Sequence, residues 1–189
     1  MTRTMPRFAV VLVTIALVGT ALLIRLTQPS DEQQLEPFVS TVHLGERVEG
    51  RDLTLEVSDV YLADRVTTAD WTGETEGVWL IVDATIGAKL GVASPYATLT
   101  AGDTEFASSN RPKDSALGGS LDAGLPQRGS FVFELPSSLL TDDAGTHARI
   151  RFATSLGVRL DSAFDLTLNL GELRHERSAT IQEPGVVVP

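Results

Sequence analysis

Residues 78–86 read VWLIVDATI. Val78, Leu80, Val82, Ala84 and Ile86 share one face of an extended strand, while Trp79 and Ile81 lie on the other, which turns polar at Asp83 and Thr85. A period of two with apolar residues on both faces at one end predicts a strand in the middle of its sheet. Upstream, Leu53, Leu55 and Val57 alternate with Thr54 and Glu56, and then the phase slips: Val60 and Leu62 are apolar but Asp59 is not. One extra residue in a strand produces such a slip, so a β-bulge is expected near Ser58–Asp59.

The same period continues downstream. Tyr96–Ala101 and Thr104–Ala107 flank Gly102–Asp103 and read as a hairpin. Phe131, Phe133 and Leu135 face inward on a strand stopped by Pro136. Ala148, Ile150 and Phe152 oppose Arg149 and Arg151, and Phe164, Leu166, Leu168 and Leu170 oppose Asp165, Thr167 and Asn169. Seven or eight short strands, roughly 10–15 residues apart, predict a sandwich whose alternating faces bury against a second sheet. Ser137–Leu140 fits one helical turn, and Gly171 ends the domain. Asp64–Glu76 (DRVTTADWTGETE) and Ser108–Ser120 (SSNRPKDSALGGS) read as loops, the second as a mobile one. Glu172–Pro189 reads as a loosely held tail, with Val186–Val188 able to pack on a sheet edge.

The chain has 189 residues, 15 basic and 25 acidic, for a net charge of −10, and no cysteine. It therefore has no disulfide, thiolate metal site or cysteine nucleophile. Its acidic balance argues against nucleic acid as a partner, because phosphate recognition needs a density of Lys and Arg.

From Phe8 to Ile24 runs FAVVLVTIALVGTALLI, 17 residues without a charge between Arg7 and Arg25. That is roughly 25 Å of helix, which Leu26 and a snorkelling Arg25 extend toward a hydrocarbon core of about 30 Å. Arg3, Arg7 and the amino terminus precede the run and only Arg25 follows it closely, so the positive-inside rule keeps the N-terminus in the cytoplasm. A cleaved signal peptide ending near Gly19–Ala21 is the competing reading, but Leu22, Leu23 and Ile24 carry the apolar run past that point. In both readings the remainder is exported. With Arg3, Arg7 and Arg25 set apart, 12 basic residues face all 25 acidic ones in that remainder, leaving it at −13. Gln28–Pro37 (QPSDEQQLEP), polar and bracketed by prolines, reads as a stalk.

Motifs for chemistry are sparse. His43, His147 and His175 are scattered without metal-ligand spacing, and Gly118–Gly119–Ser120 reads as a turn rather than a nucleophile elbow. Thr141–Gly145 (TDDAG) lacks the spaced acids and distal Glu of a calcium loop and reads as an ordinary turn. Neither a metal nor a cofactor is expected. Trp71, alone among polar residues, either anchors a partner or folds back over the sandwich edge, the second being preferred. Arg111 and Lys113 form a basic spot on an acidic body. These three are the candidate partner-binding residues. Trp79 reads as a core residue.

The run GRDLTLEVSDVYL (50–62), then GVWLIVDATIGA (77–88), then GSFVFELPSSL (129–139) resembles an uncharacterised family of membrane-anchored immunoglobulin-like domains in Gram-positive, often actinobacterial, envelope proteins. The pattern carrying it is Gly129, Phe131, Phe133, Glu134, Leu135 and Pro136 together with Val78–Ile86, over about residues 40–171. The resemblance implies a fold and an address outside the cytoplasm, and no catalytic residues.

The expected molecule is an all-β, immunoglobulin-like antiparallel β-sandwich preceded by one N-terminal transmembrane helix: anchor 1–27, stalk 28–38, sandwich 39–171, tail 172–189. The expected function is a single-pass, non-catalytic interaction or accessory domain of the cell envelope, bound to the membrane through its helix and to an envelope protein through its body. The alternative is a small-ligand-binding or sensing domain using loops 64–76 and 108–120.

Overall fold

The computed structural model describes residues 7–27, 37–112, 116–154 and 161–187. Two units separate, Met1–Glu36 and Pro37–Pro189. In the first, Arg7–Thr27 form helix α1, in which the Thr20 hydroxyl donates to the Ala16 carbonyl at 2.8 Å. Side chains of α1 are described from Ala9 to Leu23, with gaps, over a rise of about 21 Å. Among the described residues no helix is long and apolar enough to cross a membrane. The transmembrane helix expected in the fold is thus not supported there. Residues 28–36 of the expected stalk, and Lys113, lie outside the described residues.

The second unit is a β-sandwich. Its strands are β1 (Phe38–Thr41), β2 (Arg47–Glu49), β3 (Leu53–Thr67), β4 (Thr72–Ala88), β5 (Tyr96–Ala101), β6 (Thr104–Ala107), β7 (Gln127–Leu135), β8 (Ala148–Ala153), β9 (Ser162–Leu168), β10 (His175–Glu176), β11 (Ala179–Thr180) and β12 (Gly185–Val186). One sheet has the order β1-β9-β8-β5-β6 and the other β10-β3-β4-β7-β12, with β2 and β11 also on β3. β4 lies centrally, as its two apolar faces require. The sandwich is not wholly antiparallel: β1 runs parallel to β9, and β10 and β11 parallel to β3. Each parallel pair joins strands far apart in the chain, with no tight hairpin between them, and tight hairpins serve only antiparallel neighbours.

The inward faces meet as read from the alternation. Leu80, Ile86, Phe131, Phe133, Phe152 and Phe164 are fully buried, with Phe131 and Phe152 ring centroids 5.5 Å apart. The β3–β4 register shifts between Val57 and Asp59, placing the bulge at Ser58 and returning Val60 to the core. Gly102, at a φ of +58°, closes the β5–β6 hairpin in the left-handed region that glycine favours.

Three segments expected as loops or tail are paired or docked in their described parts. Asp64–Glu76 is not a loop: β3 runs to Thr67, β4 begins at Thr72, and the turn between them is closed by Thr68 N–H to Trp71 carbonyl (2.7 Å) and Trp71 N–H to Thr68 Oγ1 (3.1 Å). β-Branched Val66, Thr67 and Thr72 favour extension, and Arg65 pairs with Glu74 across the strands. A second shift after Ala63 bends this hairpin tip back over the outer face of its own sheet, where Val66 packs with Trp79, Ile81 and Val132. The described parts of 108–120 are docked on β7, with Ser109 N–H to Val132 carbonyl (2.6 Å), Leu117 N–H to Ser130 carbonyl (2.8 Å) and Leu117 buried. The tail is a strap. It pairs with β3 through β10 and β11, buries Ala179 and Ile181 in the outer cluster, and ends on β7 through β12. An apolar outer face at Trp79 and Ile81 cannot be left wet, so the chain's own end covers it.

At one end of the sandwich Asp52 ties β3 to the opposite sheet: Thr154 Oγ1 donates to its carboxylate at 2.7 Å and Ser162 N–H at 3.0 Å. Burial alone would raise its pKa, but these hydrogen bonds outweigh burial and hold the carboxyl below its ordinary value. A depressed folded-state pKa stabilises the protein at pH above the unfolded value of about 3.9 and is lost as pH falls through the lower one. Asp52→Asn should cost about 1 kcal/mol at neutral pH by denaturant unfolding, with the gap to the parent closing below about pH 4. Ile181→Ala should cost about 2–4 kcal/mol, measured in the same way, where a loose tail would show nothing.

Candidate functional site

The structure brings two of the sequence-derived residues together. Trp79 projects from the outer face of β4, and the folded-back hairpin sets Trp71 against it edge-on, with centroids 6.1 Å apart and planes at 89°. Arg111, from the segment docked along β7, lays its guanidinium 5.5 Å from the Trp71 ring centre and 5.2 Å from that of Trp79. One end of the guanidinium donates to Glu134 Oε2 at 2.7 Å and the other to the Glu74 carbonyl at 3.4 Å. Ser109 Oγ donates to Glu134 Oε1 at 3.0 Å and accepts from the Arg111 amide at 3.3 Å. Its partners come from the 68–71 turn (Trp71), from β4 (Glu74, Trp79) and from β7 (Glu134), so Arg111 is a latch joining its own segment to these three. Its cation–π and charge-assisted contacts stabilise by about 1–2 kcal/mol. Arg111 and Trp71 pack against each other, while the Arg111 side chain stays 44% exposed. Trp79 Nε1 is buried with no hydrogen-bond partner among the described residues.

The loop-lined pocket expected around Trp71 has a different wall. A cavity of about 520 Å³ beside the 108–120 segment is bounded by Ser108–Asn110, Ala116–Gly119, Gln127 and Pro184, without Trp71. Of the histidines, His175 meets Asp64 at 2.8 Å, and among the described residues no group of three metal-capable side chains assembles. In the Thr141–Gly145 segment, Gly145 closes against the Leu139 carbonyl, where a side chain would overlap. Close packing accounts for that glycine.

A second concavity was not foreseen. Where the apolar outer face of β4 ends, Asp83 stands half-buried and accepts a 2.6 Å hydrogen bond from Ser130 Oγ, its cross-strand neighbour. Ser58, displaced by the bulge, donates to the Asp83 carbonyl at 3.0 Å. The strap arches past these residues and encloses a cleft of about 610 Å³ lined also by Arg128, Gly129, Thr180, Gln182 and Glu183. Burial pushes the Asp83 carboxyl above its ordinary pKa. The Ser130 hydroxyl pulls it down, Asp59 adds to the rise, and Arg174 opposes it. Arg174 is otherwise engaged, paired with Asp59 at 3.0 Å and lying 4.9 Å over the Tyr61 ring. Tyr61 is pushed up to about 12, chiefly by burial and then by the charge of Asp83. The sequence held one sign of this site: Asp83 is the acid that interrupts a run otherwise apolar on that face.

Arg111→Ala should lower stability by about 1–2 kcal/mol and change tryptophan emission as water reaches Trp71, while leaving β-sheet circular dichroism intact. An unchanged emission spectrum would contradict the latch.

No protein-family model and no curated protein matches the chain. Two solved structures are similar to it. One is an uncharacterised β-sandwich protein of Clostridium difficile 630, 12% identical, covering 73% of this chain and 99% of that one at a TM-score of 0.45. The other is the yjhA protein of Bacillus subtilis, 15% identical, covering 65% and 97% at a TM-score of 0.44.

Proposed function

We propose that this chain is a membrane-tethered, non-catalytic accessory module of the cell envelope, with α1 in the bilayer and the acidic sandwich outside the cytoplasm, where it engages an envelope protein. The observation that carries this reading is the surface of α1. Val11, Leu12, Val13, Ile15, Leu17, Val18 and Leu23 are each 51–66% exposed. At 100° per residue these positions surround the helix. A helix apolar all round belongs in a protein core or in lipid, not in water. The helical backbone of Arg7–Thr27 spans the whole uncharged run Phe8–Ile24, roughly 25 Å, with an arginine at each end able to snorkel and extend it toward the thickness of a hydrocarbon core. Thr20, which returns its hydroxyl to the Ala16 carbonyl, is already satisfied for such a medium. The charge of −13 on the rest of the chain is repelled by anionic headgroups and favours a body held off the surface.

The absence of cysteine from the sequence makes the test clean. A Ser40→Cys variant of the full chain, at an exposed position of β1, should remain in the membrane pellet after alkaline carbonate extraction. It should also react with a membrane-impermeant maleimide in intact cells. Release by carbonate, or labelling only after lysis, overturns the reading; an intact mass lacking the first residues assigns a cleaved signal instead.

A further inference from the structure

We propose that the cleft beneath the C-terminal strap binds a small zwitterionic amine of the α-amino-acid class, Asp83 taking the ammonium group and Arg128 the carboxylate. The inference goes beyond the accessory-module reading and stands whether or not α1 lies in a membrane.

Register places the two charges. Asp83 pairs with Ser130 and Thr85 with Arg128, all on the outward face, so Asp83 and Arg128 are diagonal neighbours about 7–8 Å apart at the backbone. From diagonal positions the two side chains can both reach one small ligand whose ammonium and carboxylate are separated by one carbon. The two side chains line the same cleft and yet form no ion pair with each other, nor does Arg128 with any described residue. Ser130 occupies Asp83 Oδ1 and orients the carboxylate, leaving Oδ2 to receive a donor. Burial raises the carboxyl's pKa more than Ser130 and the Asp59-paired Arg174 lower it, and no cation forms an ion pair with it; a bound ammonium would.

The walls are built rather than incidental. The bulge at Ser58 widens the floor beside Asp83. The strap is pinned before the cleft by Ile181 N–H to the Thr67 carbonyl (2.9 Å). Beyond it, Val187 N–H donates to the Pro126 carbonyl (2.8 Å). Between those pins Gln182 and Glu183 line the cleft, exposed and without a partner among the described residues, and offer a ligand further amide and carboxylate contacts. Thr180 completes the roof. The cavity of about 610 Å³ falls in the size range of small-molecule sites and is roomy for a single amino acid with its water.

The test uses the full chain in detergent, with L-alanine, methylamine and acetate as probes followed by calorimetry and by thermal melting. L-alanine should bind saturably at millimolar concentration and raise the melting temperature, and methylamine and acetate should each bind at least about tenfold more weakly. Asp83→Asn and Arg128→Gln should each weaken L-alanine about tenfold or more. Arg128 is exposed on the surface, so the second variant remains informative if the first fails to fold. Absence of saturable L-alanine binding, methylamine binding as tightly as L-alanine, or affinity indifferent to Arg128→Gln would each overturn the proposal.

Discussion

The central strand β4 is apolar on both of its faces over Val78–Val82, and the rest of the body is arranged to keep both faces dry. One face is met by the opposite sheet, which contributes Phe152 and Phe164 to a core shared with Phe131 and Phe133 of the neighbouring β7. The other has no second sheet to meet. Leaving Trp79 and Ile81 wet would forfeit on the order of 2–3 kcal/mol each, and would expose an apolar patch beside a sheet edge. The chain solves this with what it has nearby: its own hairpin tip folded back, the 108–112 segment along β7, and a C-terminal strap.

That cover explains where the polar chemistry collects. Segments laid over a sheet from different directions must be fastened, and Arg111 does so by combining ring faces, a carboxylate and a carbonyl in one side chain. A guanidinium suits such a place, being planar and offering several donors at fixed angles where a lysine offers a single point charge. Its partners are internal, and half-buried Trp71 packs with it over the outer face. Past Ile81 the outer face of β4 turns polar and the strap spans it without filling it. The result is a cleft with a carboxylate on its floor and a cation two residues along the neighbouring strand.

The two units obey different solvent rules. The sandwich buries most of its large apolar residues in two clusters and carries a large excess of acids, whereas α1 turns its described apolar residues outward on every side. That contrast supports the tethered accessory role proposed above, and small-molecule recognition in the strap cleft would give such a module something to report.

The alternation of Val78–Ile86, the slip at Ser58–Asp59, the Gly102–Asp103 hairpin and the inward phenylalanines were legible in the sequence because each depends on residues two apart in one strand. So was the central position of β4, since an apolar residue on each face needs a cover on each side. The hairpin tip was not legible: its outward positions are charged and hydroxylated like a loop, and only a neighbouring sheet makes Val66 and Trp71 its inward side. Nor was the strap, whose inward residues, Ala179 and Ile181, are too few to form a pattern. Trp71 and Arg111 were each conspicuous alone. Their meeting, and the placing of Asp83 diagonally from Arg128, depend on register between strands about 40 residues apart in the chain, and cross-strand geometry of that kind leaves no local periodicity to read.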